Sequence, residues 1–291
     1  MATPTDTFQS LFIDANGVKT RFIVAGQGMP LVLVHGGGPG ASGEYGWRQN
    51  IPALAQHFQV FALDRIGFGL TDKPVDELGD PVLAQHLADF IDALCLKELY
   101  MMGNSMGAYG VAKYAVDYPD RVKKMVLVAS GSIGAAMGLE HKPSEGMRAM
   151  RRFDSEPTRE NMRAVLEGLV SNKEGITDEL IEGRFKLATQ PGAMASQKLQ
   201  QKYRQRLQAD PNLRQQYSLL HRLPELTIPT IMIWGKEDRF APIEDLGYPL
   251  RDMLPNLRAF HVFEHSGHQV QFEEVEKFNR VVVDFLLLLE A

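Results

Sequence analysis

A serine stands between two glycines in Gly103-Asn104-Ser105-Met106-Gly107, directly after the apolar run Leu99–Met102 and before the helical pattern "MGAYGVAKYAVDYP". This is the G-x-S-x-G pattern of a nucleophile elbow, in which a strand turns sharply into a helix. Side chains at 103 and 107 would collide with such a turn. The helix that follows aims its first N–H groups at the serine, where developing negative charge is stabilised. A serine hydroxyl attacks only if a base takes its proton. Of eight histidines, His268 in "EHSGHQVQFEE" lies between the last strand pattern and the last helical one, which suits the base; His265 in the same loop is the alternative. His35 ends a core strand and reads as a packing and loop-anchoring residue. An imidazole base needs a carboxylate to hold its tautomer. "IMIWGKEDRFAP" offers Asp238 at a strand tip, with Glu237 as the alternative. The tetrahedral oxyanion needs N–H donors. "HGGGPGAS" supplies bare backbone, so Gly37 or Gly38 paired with Met106 would complete an oxyanion hole. No G-K-[ST] ending is present to make that loop a phosphate cradle.

These residues need a scaffold that brings three distant loops to one edge. "FQSLFIDANGVKTRFIVAG" reads as a hairpin around Asn16-Gly17. "PLVLV", "FQVFALD", "LYMMG", "VKKMVLVAS" and "IPTIMIWG" are continuous apolar runs, the mark of strands buried on both faces. Helical patterns near 47–57, 80–96, 105–118 and 243–254 separate them, and "LRAFHVF" precedes a last helix from about Gln269 to Glu290. The alternation predicts an α/β fold, a mostly parallel central sheet with helices on both faces. From 136 to 223 only helical periodicity appears. The expected division is therefore a core domain, 1–135 and 224–291, and a helical lid, 136–223, inserted between strands.

The chain of 291 residues has a formal charge of −5, which argues against nucleic acid as a partner. The lid segment carries 15 Lys and Arg against 11 Asp and Glu, so a basic lid covers an acidic core, an arrangement that favours an anionic small molecule. The bland alternative is a set of solvated helix faces. The single cysteine, Cys95, excludes an internal disulfide and suits a reducing compartment; its apolar surroundings predict a buried thiol. "MATPTDTFQS" has no export-signal character, and "VVVDFLLLLEA" is too short to span a bilayer. The expectation is a cytoplasmic protein with no membrane association. No His, Cys or acidic spacing suggests a metal, and no cofactor is implied.

The chain resembles α/β-hydrolase-fold enzymes, in which Ser, Asp and His follow in that order. More narrowly it is similar to the meta-cleavage product hydrolases of aromatic-ring degradation, which split a carbon–carbon bond in 2-hydroxy-6-oxohexa-2,4-dienoates. "HGGGPGAS", "WRQNI", "VFALDRIGFGLTDKP", "GNSMG", "WGKEDRFAP" and "HVFEHSGH" carry the similarity, and so does "EPTRENMRAVLEGLVSNKEGITDELIEGRFKLATQP" within the lid. The resemblance implies that Asn50 hydrogen-bonds near the reacting end of the substrate. It implies that Arg184 reaches from the lid to the dienoate carboxylate or enolate, and that Asn104 helps hold the elbow. It also implies a homodimer or higher homo-oligomer. The family usually has tryptophan after the catalytic histidine, where it holds the dienoate. Here that position is Gln269, which keeps N–H donors and loses the flat apolar wall. The interval from Asp238 to His268 is also two residues longer than usual, which points to an insertion around "IEDLGYPLRD". An ester, lactone or amide hydrolase using the same three residues is the alternative function.

Overall fold

A computed structural model describes residues 8–140 and 144–288. The start of the chain, His141, and the residues Leu289 and Glu290 at the expected end of the last helix lie outside the described residues. Strands β1 (Gln9–Ala15) and β2 (Val18–Ala25) form the predicted hairpin, turned by Asn16 and Gly17 at φ 55 and 85. The remaining strands are β3 (Pro30–Val34), β4 (Gln59–Leu63), β5 (Leu99–Asn104), β6 (Val122–Val128), β7 (Thr230–Gly235) and β8 (Leu257–Phe263). They lie in one sheet ordered β1-β2-β4-β3-β5-β6-β7-β8. β1, β2 and β4 pair antiparallel, and every pairing from β4 to β8 is parallel. This is the α/β-hydrolase fold. Strand order reverses around β3, so the loops after β3 and β5 emerge side by side, where open α/β sheets bind their ligands.

The apolar runs become strands because both faces are covered. Val32, Leu33, Met101, Met102, Val126, Met232 and Ile233 all sit in one continuous core. The helix Asp80–Ala93 and the elbow helix Met106–Asp117 pack on one another beside the sheet. The last helix is split into Val270–Glu273 and Val275–Leu287. Its C-terminal carbonyls, those of Phe285, Leu286 and Leu288, accept from the ammonium of Lys124, a buried β6 lysine that offsets the helix dipole. Between Asp238 and His268 lie a π-helical turn, Ile243–Gly247, and the helix Tyr248–Asp252.

Cys95 contradicts its expected burial. It is exposed, at φ 54, because it makes the left-handed exit from the helix Asp80–Ala93, with its N–H bonded to Asp92 O and that of Leu96 to Ile91 O. The pattern near 47–57 also resolves differently, into Gly43–Trp47 and Ile51–Leu54, the second with Pro52 in its first turn.

Between β6 and β7 every described element is helical: Gly131–Ala136, Glu145–Ser155, Arg159–Glu167, Asp178–Thr189, Ala193–Ala209, Pro211–Tyr217 and the short turn Leu223–Glu225. The middle helices gather their own apolar cluster, Phe153, Met162, Val165, Leu166 and Ile181. The insertion is fastened to the core close to the site. Glu273 accepts from the N–H groups of Ser171, Asn172 and Gly267 at 2.7, 3.0 and 2.7 Å, and Leu169 O accepts from Gln269 N. No helix among the described residues is long and apolar enough to cross a membrane.

Candidate active site

β5 ends at Asn104 and the elbow helix begins at Met106, so Ser105 alone makes the turn. It does so at φ 54 and ψ −122, a strained conformation for a residue with a side chain. Both neighbouring glycines are sterically required. A Cβ on Gly103 would sit 2.5 Å from Gly107 C, and one on Gly107 would overlap Val34 O. The turn is held by Ser105 N donating to Val128 O at 2.8 Å and by Ser130 Oγ donating to Ser105 O at 2.8 Å. Although Ser105 occupies the helix N-cap, its hydroxyl caps nothing and is left for chemistry.

His268 and Asp238 meet from the loops after β8 and β7. His268 Nδ1 lies 2.8 Å from Asp238 Oδ2. Asp238 Oδ1 accepts from Phe240 N and Ala241 N at 2.8 and 2.7 Å, which fixes the carboxylate. A proton shared on the Nδ1 side leaves His268 Nε2 as the basic atom, and it is buried without a hydrogen-bond partner among the described residues. Asn104 Nδ2 donates to His268 O at 3.3 Å, so the residue preceding the serine ties the histidine loop beside the elbow. Catalytic hydrogen bonds that are open in a free enzyme commonly close only around substrate. The alternatives lie elsewhere: Glu237 accepts from Ser171 Oγ at 2.6 Å, and His265 is exposed.

The glycine loop follows β3. The N–H groups of Gly37, Gly38 and Met106 have no acceptor among the described residues. Methionine methyls close over the loop, Met106 against Gly37 and Met150, from the insertion, against Gly38. Gly40, at φ 65, allows close approach of the insertion helix Asp178–Thr189, because a Cβ there would overlap Arg184 O.

Arg184 comes down from that helix and is only 7% exposed. Its Nε and Nη2 donate to Pro39 O at 3.1 and 2.8 Å, and Nη1 has no acceptor among the described residues. No carboxylate pairs with it there, and burial brings its guanidinium down to about 10. Other insertion cations, such as Arg159 and Arg163, are exposed and paired with Glu182 and Asp178.

Asn50 is buried, and its amide donates to Gln271 O at 3.0 Å and Asn279 Oδ1 at 2.9 Å. Those bonds hold the helix Val270–Glu273 and occupy both amide protons, so only its oxygen remains for a substrate. Gln269 joins a chain of amides. Its Nε2 donates to Asn104 Oδ1 at 3.3 Å, and its Oε1 accepts from Gln271 Nε2 at 2.9 Å. Gln271 Oε1 is buried without a partner among the described residues. Gln271 and Glu273 were not legible as site residues; in one dimension they are polar positions on a helix. Among the described residues no group of three or more His, Cys, Asp or Glu side chains could hold a metal ion.

Comparison with known proteins places the chain in a family. A family described as alpha/beta hydrolase fold matches residues 30–275. The chain is 34% identical to a 2-hydroxy-6-oxononadienedioate/2-hydroxy-6-oxononatrienedioate hydrolase of Pseudomonas sp., over 98% of this chain and 99% of that protein. It is 33% identical to a 2-hydroxy-6-oxo-6-phenylhexa-2,4-dienoate hydrolase of Burkholderia cepacia, over 90% and 89% of the two chains. Among solved structures, a meta-cleavage product hydrolase of Pseudomonas fluorescens IP01 superposes with a TM-score of 0.80 at 30% identity, covering 97% of this chain and 98% of that one. With near-complete overlap in both sequence and fold, the chain belongs to the α/β-hydrolase fold family and, within it, to the meta-cleavage product hydrolases.

Proposed function

We propose that this protein hydrolyses a carbon–carbon bond in a 2-hydroxy-6-oxo-hexa-2,4-dienoate-type ring-fission product, with Ser105, His268 and Asp238 as its catalytic residues. The carrying observation is Arg184. A nearly buried guanidinium beside the glycine loop, with no acid paired to it, leaves a positive charge that an anionic substrate would neutralise. Guanidinium suits a carboxylate or enolate because its donors are planar and forked.

The dienol first ketonises, its O–H proton leaving as carbon 5 gains one, with His268 moving the proton. This creates an electron sink beside the scissile bond. Ser105 Oγ then adds to the distal carbonyl as His268 Nε2 takes the hydroxyl proton. The oxyanion is held by the N–H groups of Met106 and of Gly37 or Gly38. Collapse breaks the carbon–carbon bond, the electron pair leaving into the dienoate fragment, which takes the proton from His268, and water, deprotonated in turn by His268, hydrolyses the acyl-enzyme. The insertion acts as a lid, and Asn50, Asn104 and Gln269 line the substrate's path from the elbow. The same reading makes the enzyme a cytoplasmic homodimer or higher homo-oligomer. Its single, exposed cysteine suits a reducing compartment.

The test is a spectrophotometric panel of ring-fission dienoates beside aryl esters, with Ser105→Ala abolishing all turnover. Arg184→Gln keeps an amide donor and loses the charge. It is expected to lower kcat/KM for dienoates roughly 30-fold or more, as for loss of a buried charge pair, with aryl esters changed far less. Turnover of esters with every dienoate left untouched would sink the proposal.

A further inference from the structure

A peptide unit has two ends, and the Gly36–Gly37 unit shows both at work. Its N–H belongs to Gly37, a candidate oxyanion donor. Its carbonyl, Gly36 O, accepts two hydrogen bonds at once, from His35 Nδ1 at 2.7 Å and from Arg65 Nη2 at 2.8 Å. The tautomer of His35 follows from its other partner. His35 Nε2 accepts from the main-chain N–H of Arg65 at 3.1 Å, so the ring proton is on Nδ1 and points at Gly36 O. His35 is buried, and desolvation together with the Arg65 charge holds it well below the usual imidazole range, so it stays neutral.

Arg65 is the costly member of this pair. It is 2% exposed, it stacks over Phe68 at 4.9 Å, and no carboxylate lies within ion-pair range of it among the described residues. Its Nε has no partner among the described residues. The adjacent acid, Asp64, is already met by Arg21, Gly43 N and Leu70 N, and the buried carboxyl of Asp80 supports the Arg65 charge only from beyond ion-pair distance. A buried cation left in such surroundings is destabilising unless its charge serves another purpose.

We propose that Arg65 is a positioning residue for the oxyanion hole, acting through the Gly36–Gly37 peptide with His35 beside it. Amide resonance couples the two ends of the unit. A cation on the carbonyl oxygen draws electron density from the nitrogen and strengthens the Gly37 N–H as a donor, the mutual polarisation of hydrogen bonds in a chain. The gain is larger for a full oxyanion than for a ground-state carbonyl, so it acts on the transition state. This inference rests on reading Gly37 as an oxyanion donor.

The experiment compares wild type with Arg65→Gln and Arg65→Lys, using a p-nitrophenyl ester and a ring-fission dienoate. Each protein is also titrated with a trifluoromethyl ketone and the matching secondary alcohol. Ser105 Oγ adds to the ketone carbon, His268 takes the hydroxyl proton, and the carbonyl pair becomes an oxyanion; the alcohol forms no oxyanion. The expected result for Arg65→Gln is a fall in kcat of roughly tenfold or more, less than outright loss of an oxyanion donor, with KM little changed. Ketone affinity falls by the same factor as kcat/KM, alcohol affinity holds, and Arg65→Lys recovers part of the loss. Where Arg65→Gln fails to fold, Arg65→Lys alone must show the matched fall. Equal losses of ketone and alcohol affinity, or unchanged kcat in a folded variant, would overturn the inference. A wild type that binds the trifluoromethyl ketone no tighter than its methyl analogue would overturn the hole itself.

Discussion

Gln269 shows how one side chain can be tied into its surroundings on both sides. Its amide gives a proton to Asn104 Oδ1 and takes one from Gln271 Nε2, while Gln271 Oε1 already lacks a partner. A tryptophan at 269 has one N–H donor and no acceptor. Gln269→Trp would therefore leave the amide of a fully buried Gln271 with neither donor nor acceptor satisfied. Urea unfolding should show a loss of about 1–3 kcal/mol, the cost of unsatisfied buried polar groups. Combining it with Gln271→Met, which removes the stranded amide, should recover most of that loss. Unaltered stability in the single variant would mean that the amide chain is not holding the histidine loop.

The elbow is the element on which the chemistry depends, and its backbone strain is paid off by close packing of Gly103 and Gly107. A methyl at 107 meets Val34 O, the end of β3, and also His35 O at 2.6 Å, where the glycine loop begins. Gly107→Ala must push β3 and the elbow helix apart. Overpacking of this kind costs about 1–3 kcal/mol, and a shift of the nucleophile by about 1 Å costs roughly a hundredfold in rate. Thermal melts and kcat on an aryl ester check both; a folded variant with full kcat would refute the steric argument. The glycine pattern was readable in one dimension because the clash lies within one strand–turn–helix unit and with the strand beside it. The fastening of the insertion was not. Glu273 reaches the main-chain N–H groups of Ser171 and Asn172, about a hundred residues away, and only the folded chain brings them together.

At the scale of the molecule, stability toward acid depends on histidines buried neutral. His86 is 2% exposed; its Nδ1 accepts from Ile66 N at 3.2 Å and its Nε2 lies 2.8 Å from Thr20 Oγ1, whose own proton goes to Val18 O. Burial lowers it from 6.5 to about 4. Between those values the unfolded chain binds a proton that the folded chain refuses, so stability falls as pH drops through that window. The difference amounts to about 3 kcal/mol. Asp80 works the opposite way, since burial raises it to about 6 and its contribution declines as pH rises from 3.8 through that value. Melting temperatures from pH 7 to pH 4 should fall more steeply in wild type than in His86→Gln, which carries no titrating group. Parallel curves would exclude His86 as the acid-sensitive group.

Read alone, the chain determined its fold class, its strand-and-helix order, and the serine, acid and histidine proposed as its catalytic residues. Each of those is written in short-range patterns: unbroken apolar runs, glycines where a turn admits no Cβ, an acid and a histidine in loops after strands. Tertiary structure decided what those residues touch. It chose Asp238 over Glu237, turned Cys95 outward, spent both amide protons of Asn50 on the last helices, and set Arg65 against Gly36 O. Partner choice among buried polar groups depends on contacts between strands and loops far apart in sequence, and those exist only once the sheet has assembled.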